Sequence, residues 1–307
     1  MQTLIAACLK LLTCSLIVSR LACAQSPVQT EPAWQRYTFK GEEVSALLPE
    51  QPETSIYYRL KQGVIIPTDE KRLKGRLFSA YGDGVVYLIY SYDNPHHSES
   101  LDTFIKEFER YWSNRLEITS SRDIKLDGVS GKRLIFKFKD EDGIVDFYDT
   151  DKHVYIVQVV GGNESHPSVE RFLQSLALGK NAAGTDSRSG EGVKPTAQAA
   201  QSGTHVSPQS GPVYSAQEVT RKALIVMRRE PQYTEEARQN HISGTVELKA
   251  VLSSSGKITD VEVLKGLSHG LTEKAIEATR QTMFIPAMKD GKYVSQRIMM
   301  QYGFSVY

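Results

Sequence analysis

The sequence predicts an α+β protein of two domains joined by a flexible linker, and three observations predict it. Apolar and β-branched residues alternate or run together as strands do, first between residues 76 and 160 and again between 245 and 306. Between and after those strands, apolar residues recur at helical spacing around residues 101–112, 169–176 and 271–282. From Asn181 to Pro212 large apolar residues all but vanish in favour of Gly, Ser, Ala, Gln, Thr and Pro, a composition that cannot supply a core. The expected boundaries are a domain over 34–178, a linker over 179–214 and a second domain over 215–307. A chain of 307 residues with 24% charged and 40% apolar residues has room for both cores.

In the first domain, a strand is expected near Glu43–Pro49. Arg76-Leu77-Phe78 and Val85–Tyr90 flank Tyr81-Gly82-Asp83-Gly84, a hairpin with an Asp-Gly turn. Three further strands, 132–139, 144–148 and 153–160, are joined by Asp140-Glu141-Asp142-Gly143 and Thr150-Asp151-Lys152. Leu101, Phe104, Ile105, Phe108, Tyr111 and Trp112 share one helical face, with Ser100 as N-cap. Val169, Phe172, Leu173 and Leu176 form a second, shorter stripe, with Pro167 suited to its first turn. The product is an antiparallel sheet layered with helices, and its order of elements resembles that of PsbP-like sandwiches.

The N-terminus reads as an export signal over residues 1–24: Lys10, an apolar run from Leu11 to Val18, and Ala22-Cys23-Ala24 before Gln25. The alternatives are a membrane anchor, although the apolar run falls short of the roughly 20 residues that span a bilayer, and lipid attachment at Cys23. Cys8, Cys14 and Cys23 are all the cysteines of the chain, so cleavage after Ala24 leaves no thiol for disulfides or nucleophilic catalysis. It also removes two basic residues, leaving 35 basic against 36 acidic side chains. That balance gives no reason to expect nucleic acid as a partner. The expected location is the periplasm, with inner-membrane anchoring or a lipoprotein as alternatives.

In the second domain, Thr234 is placed to cap a short helix carrying Glu235 and Glu236 in its first turn. Val246, Leu248, Ala250 and Leu252 alternate with polar residues, Ser254-Ser255-Gly256-Lys257 turns the chain, and a strand returns from Ile258 to Leu264. Val261 and Val263 are expected on one side of it, with Ile258 out of phase at a bulge. A helix with Leu271, Ala275, Ala278, Thr279 and Thr282 in one stripe follows, ended by Phe284-Ile285-Pro286-Ala287. After the turn Asp290-Gly291-Lys292 comes a long last strand. Val294, Ile298, Met300, Tyr302, Phe304 and Val306 lie on one face, interrupted by Gln296. Ser295, Arg297, Gln301, Ser305 and Tyr307 lie on the other.

The spaced set Pro231-x-Tyr233, Ala237-Arg238, Gly244-x-Val246, Gly256-Lys257-Ile258, Val261, Ala275, Phe284-x-Pro286-Ala287 and Gly291 resembles the signature of the TonB C-terminal domain family. It departs from it at Thr234, where a second proline is common, and at Met283, where an aromatic is common. The resemblance covers about a third of the chain. It implies three antiparallel strands and two helices, a periplasmic setting, and binding of outer-membrane transporters by pairing an extended peptide against a sheet edge. Energy-transducing members carry a membrane anchor and a long Pro-rich spacer, in place of which this chain has a signal-like N-terminus and a short linker.

If the last strand lies at an edge, its main chain offers unpaired N–H and C=O groups, and Ser295, Arg297, Met299, Gln301, Gly303 and Ser305 are the expected partner-binding residues. The alternative is that these residues pair internally or in a homodimer. A second functional reading is a periplasmic recognition or scaffold protein acting through residues 34–178. An enzyme is not expected: no catalytic constellation stands out, and neither Gly161-Gly162 nor Gly82-Asp83-Gly84 belongs to a phosphate loop. No cofactor is expected. His96-His97-x-Glu99 and the acidic run of Asp140, Glu141, Asp142, Asp146, Asp149 and Asp151 read as solvated loop and turns rather than metal sites.

Overall fold

A computed structural model describes residues 34–59, 73–94, 97, 99–182 and 211–305. The leader, the cysteines, His96 and most of the linker lie outside the described residues. Strands β1 (Gln35–Thr38) and β2 (Val44–Leu48) come first, then β3 (Glu53–Arg59), β4 (Leu73–Gly82) and β5 (Val85–Asp93). Helix α1 (Leu101–Trp112) precedes a meander of β6 (Leu116–Leu126), β7 (Val129–Phe138), β8 (Glu141–Asp149) and β9 (His153–Val160). Helix α2 (Pro167–Ser175) and β10 (Ala177–Leu178) complete this half.

A seven-stranded antiparallel sheet runs β3-β4-β5-β9-β8-β7-β6. Its central strands β5 and β9 are covered on both faces, which is why they read as continuous apolar runs rather than alternating ones. On one face Val85, Tyr87, Ile89, Tyr155, Val157 and Val159 meet α2 and the small sheet β1-β2-β10. On the other, Leu77, Val86, Leu88, Phe147, Val154 and Ile156 meet Phe104 and Ile105 of α1. Ser100 caps α1 by accepting from the Thr103 amide at 3.3 Å, and Pro167 opens α2. The β4–β5 turn holds Asp83 at φ 53° and Gly84 at φ 77°, the left-handed pair a two-residue hairpin needs.

Two expectations change here. The turn expected at Asp140–Gly143 is shorter, because Glu141 pairs with Phe138 and β8 begins there. β6, an eleven-residue strand at the sheet edge, was not foreseen, because its exposed polar side chains leave no apolar period to detect. The acidic run is dispersed: Asp142 accepts from Asn163, Asp149 pairs with His97 at 2.8 Å, and Asp146 is fully buried. The Arg133 guanidinium spans both Asp146 oxygens at 2.6 and 2.5 Å, and Glu164 bridges Arg133 to Arg122.

The second half comprises β11 (Val213–Tyr214), β12 (Leu224–Met227), α3 (Glu235–Gln239), β13 (Gly244–Leu252), β14 (Ile258–Lys265), α4 (Leu271–Arg280), β15 (Met283–Ile285), β16 (Ala287–Lys289) and β17 (Lys292–Phe304). The three antiparallel strands and two helices are β13, β14 and β17 with α3 and α4, and the sheet order is β11-β17-β13-β14. The protein is therefore of mixed α+β class, built on several sheets. α4 lies on the buried face of β13 and β17, where Ala275 and Ala278 admit it close to Val246, Leu248, Met300 and Tyr302. Thr279 donates to the Tyr302 hydroxyl at 3.1 Å beneath it.

The Phe284–Ala287 segment does more than end the helix: β15 pairs with β12, and β16 pairs with β17 on either side of Pro286. On β14, Val261 is half-buried but Val263 is 42% exposed. Two register shifts and Asp260 at φ 49° break the alternation there, later in the strand than Ile258.

The two halves share a core. Leu224 and Val226 of β12 and Met283 and Ile285 of β15 join the cluster that contains Tyr81, Val86 and Val160. A β-carbon on Gly84 would overlap the Tyr293 ring, and one on Gly256 would overlap the Tyr81 ring. Around this contact Lys257 pairs with Glu50 at 3.0 Å, Arg221 with Glu141, and Arg229 donates to Ser55. Burial raises the Glu141 carboxyl above its ordinary range, while Arg221 pulls it back.

Candidate functional site

β17 is thirteen residues long because its alternation never fails between Ile298 and Phe304: Met300, Tyr302 and Phe304 are buried, while Arg297, Met299, Gln301 and Gly303 are exposed. On its inner side it pairs with β13 from Leu252↔Gln296 to Gly244↔Phe304 without a shift. On its outer side β11 runs parallel to it at Val213↔Ser295 and Tyr214↔Gln296. Beyond Gln296, among the described residues, no strand pairs with the outer side of β17.

The six expected edge residues therefore fall into two groups. Ser295 lies beside β11, is buried, and its hydroxyl accepts from the Ser254 amide at 3.1 Å. Arg297, Met299, Gln301, Gly303 and Ser305 are exposed beyond it, Met299 at 55%. Gln296, the polar interruption of the apolar face, is 2% exposed and uses its side-chain oxygen to accept from the Ala223 amide at 2.7 Å. Burial of that amide side chain is thus matched by a hydrogen bond that ties the start of β12 to β17.

An antiparallel ladder uses the main-chain groups of alternate residues and turns the others outward. The Gln301 carbonyl accepts from the Arg228 side chain, which places Gln301 in the outward-facing set with Arg297, Met299 and Gly303. Arg228 also lies 4.3 Å from the centroid of the Tyr302 ring. Sequence reading missed both β11 and Arg228. Two residues of strand are too few for a period, and the Arg228-Arg229 doublet carries no spacing that ties it to an edge seventy residues on.

The other edge of this sheet, β14, presents a different surface. Its two register shifts bend it, and Asp260, Glu262 and Lys265 line it, devices that blunt an edge against strand addition. β17 has neither shift nor proline over its open stretch.

No curated protein matches the chain. The solution structure of the TonB C-terminal domain of Pseudomonas aeruginosa is 21% identical, covers 31% of this chain and 96% of its own, and has a TM-score of 0.26. The solution structure of cyanobacterial PsbP, CyanoP, from Synechocystis sp. PCC 6803 is 10% identical, covers 50% of this chain and 96% of its own, and has a TM-score of 0.33. The family model described as Gram-negative bacterial TonB protein C-terminal matches residues 229–306. That span takes in α3, β13, β14, α4 and β17. Residues 229–306 of this chain are a domain of the TonB C-terminal family.

Proposed function

We propose that this is a periplasmic envelope protein that captures an extended segment of another envelope protein, an outer-membrane transporter being the partner class, by strand addition along the outer side of β17. Arg297, Met299, Gln301, Gly303 and Ser305 supply the contacts. The observation that carries this reading is an edge that is open and regular from Arg297 to Phe304, while β14, at the other end of the same sheet, is bulged and charged. Membership of residues 229–306 in the TonB C-terminal family supports the choice of partner. In this mode main-chain hydrogen bonds provide affinity, and the side chains of alternate residues select among sequences.

Proline at Met299 tests the reading. The Met299 N–H belongs to the outward set, so proline removes a donor to the incoming strand and puts its ring in that strand's path, leaving the ladder to β13 in place. A transporter-derived peptide should bind Met299→Pro at least about tenfold more weakly than the parent chain, as measured by titration calorimetry. Unchanged binding by a folded Met299→Pro chain contradicts strand addition at β17.

A further inference from the structure

The open stretch of β17 carries one group that does not belong to it. Arg228, at the end of β12, lies over the Tyr302 ring at 4.3 Å and places its guanidinium on the Gln301 carbonyl. It thus already occupies one acceptor that strand addition requires. Two further facts bear on what it does. Arg228 is exposed, and among the described residues no carboxylate pairs with it. Arg297, four residues before Gln301 on the same edge, is also exposed and has no carboxylate partner among the described residues.

We propose that Arg228 is a selectivity latch: it caps the Gln301 carbonyl when the edge is empty and, once displaced, pairs with a carboxylate side chain of the incoming segment. The inference rests on strand addition at β17. When an incoming N–H takes the Gln301 carbonyl, the guanidinium loses its acceptor but keeps its place over Tyr302. Side chains of the added strand that flank the residue opposite Gln301 point to the face of Tyr302. That is the face from which Arg228 reaches the edge. An aspartate or glutamate there replaces the lost hydrogen bond with a charge-assisted one; a neutral residue leaves Arg228 without an acceptor. The selected partner is therefore an extended peptide with an acidic residue near its centre.

The test uses the full chain and two ten-residue peptides of alternating threonine and valine, identical except for a central glutamate or glutamine. Affinities are measured for the parent, Arg228→Ala, Arg228→Lys and Met299→Pro chains at low and high salt. The glutamate peptide should bind the parent about fivefold more tightly than the glutamine peptide at low salt, with the gap closing at high salt. In Arg228→Ala the preference should vanish while the glutamine peptide binds no more weakly than before. Arg228→Lys should keep part of the preference. A preference that survives Arg228→Ala, or equal binding of both peptides to the parent, overturns the latch and leaves strand addition standing. Binding insensitive to Met299→Pro, or no binding of either peptide, overturns both.

Discussion

An Ile285→Asp chain is expected to lose about 3–5 kcal/mol of stability, and the loss should be felt in the half of the protein that does not contain the substitution. Ile285 is fully buried among Tyr81, Val86 and Val160 from the large sheet and Leu224 and Val226 from β12. Removing it from that contact forfeits about 1.5–3 kcal/mol of apolar burial, and a carboxylate placed there without a partner adds its own penalty. Both tryptophans, Trp34 and Trp112, lie in the first half, packed on Tyr87 and Phe138. Tryptophan fluorescence thus reports on the half that keeps its sequence. Its thermal midpoint should fall by roughly 10 °C in Ile285→Asp, together with the circular-dichroism transition of the whole chain. A fluorescence midpoint equal to the parent's would mean that the halves unfold independently and share no core.

The second large effect is expected at Arg133. Asp146 is fully buried, and the guanidinium that spans its two oxygens is its only cationic partner among the described residues. Arg133→Met leaves the carboxylate buried with the Tyr148 hydroxyl alone, 3.2 Å away. Breaking a buried pair from one side costs about 3–5 kcal/mol at neutral pH. The sign of the pH dependence follows from the direction of the Asp146 shift. Burial already raises its carboxyl above the ordinary range, and Arg133 opposes that rise. Without Arg133 the folded-state pKa climbs further, so the folded chain binds a proton more readily than the unfolded one. Stability relative to the parent should then recover as pH falls through the raised folded value toward the unfolded one, and be lost again as pH rises. Urea denaturation of both chains between neutral and mildly acidic pH measures this; a difference that stays constant or widens on acidification refutes it.

The elements legible in the sequence were those whose burial is one-sided or whose punctuation is local. α1 announced itself through Ser100 and the spacing of Phe104, Ile105 and Phe108, and the hairpins through Asp83-Gly84 and Asp290-Gly291. β13 and β17 were readable because one face meets α4 and the other does not. β6 was not readable, since both of its faces are largely exposed. β15 was hidden for a different reason: Met283-Phe284-Ile285 follows a helix directly and finds its partner, β12, some sixty residues earlier. The Arg228 contact and the position of β11 depend likewise on pairing between distant segments, which no local period records. The shared core has the same origin, because Leu224, Val226 and Ile285 are ordinary apolar residues until the fold places them against the large sheet.

Hydrogen exchange of the backbone amides along β17 tests strand addition most directly. The amides of Met299, Gln301 and Gly303 face away from β13 and lie beyond β11, so in the unbound chain they should exchange faster than those of Ile298, Met300 and Tyr302 in the ladder. Saturating a transporter-derived peptide should slow the outward set by about tenfold or more and leave β14 and β6 unchanged. Protection confined to β14 or β6, with Met299, Gln301 and Gly303 exchanging as before, would contradict the assignment of the binding edge to β17.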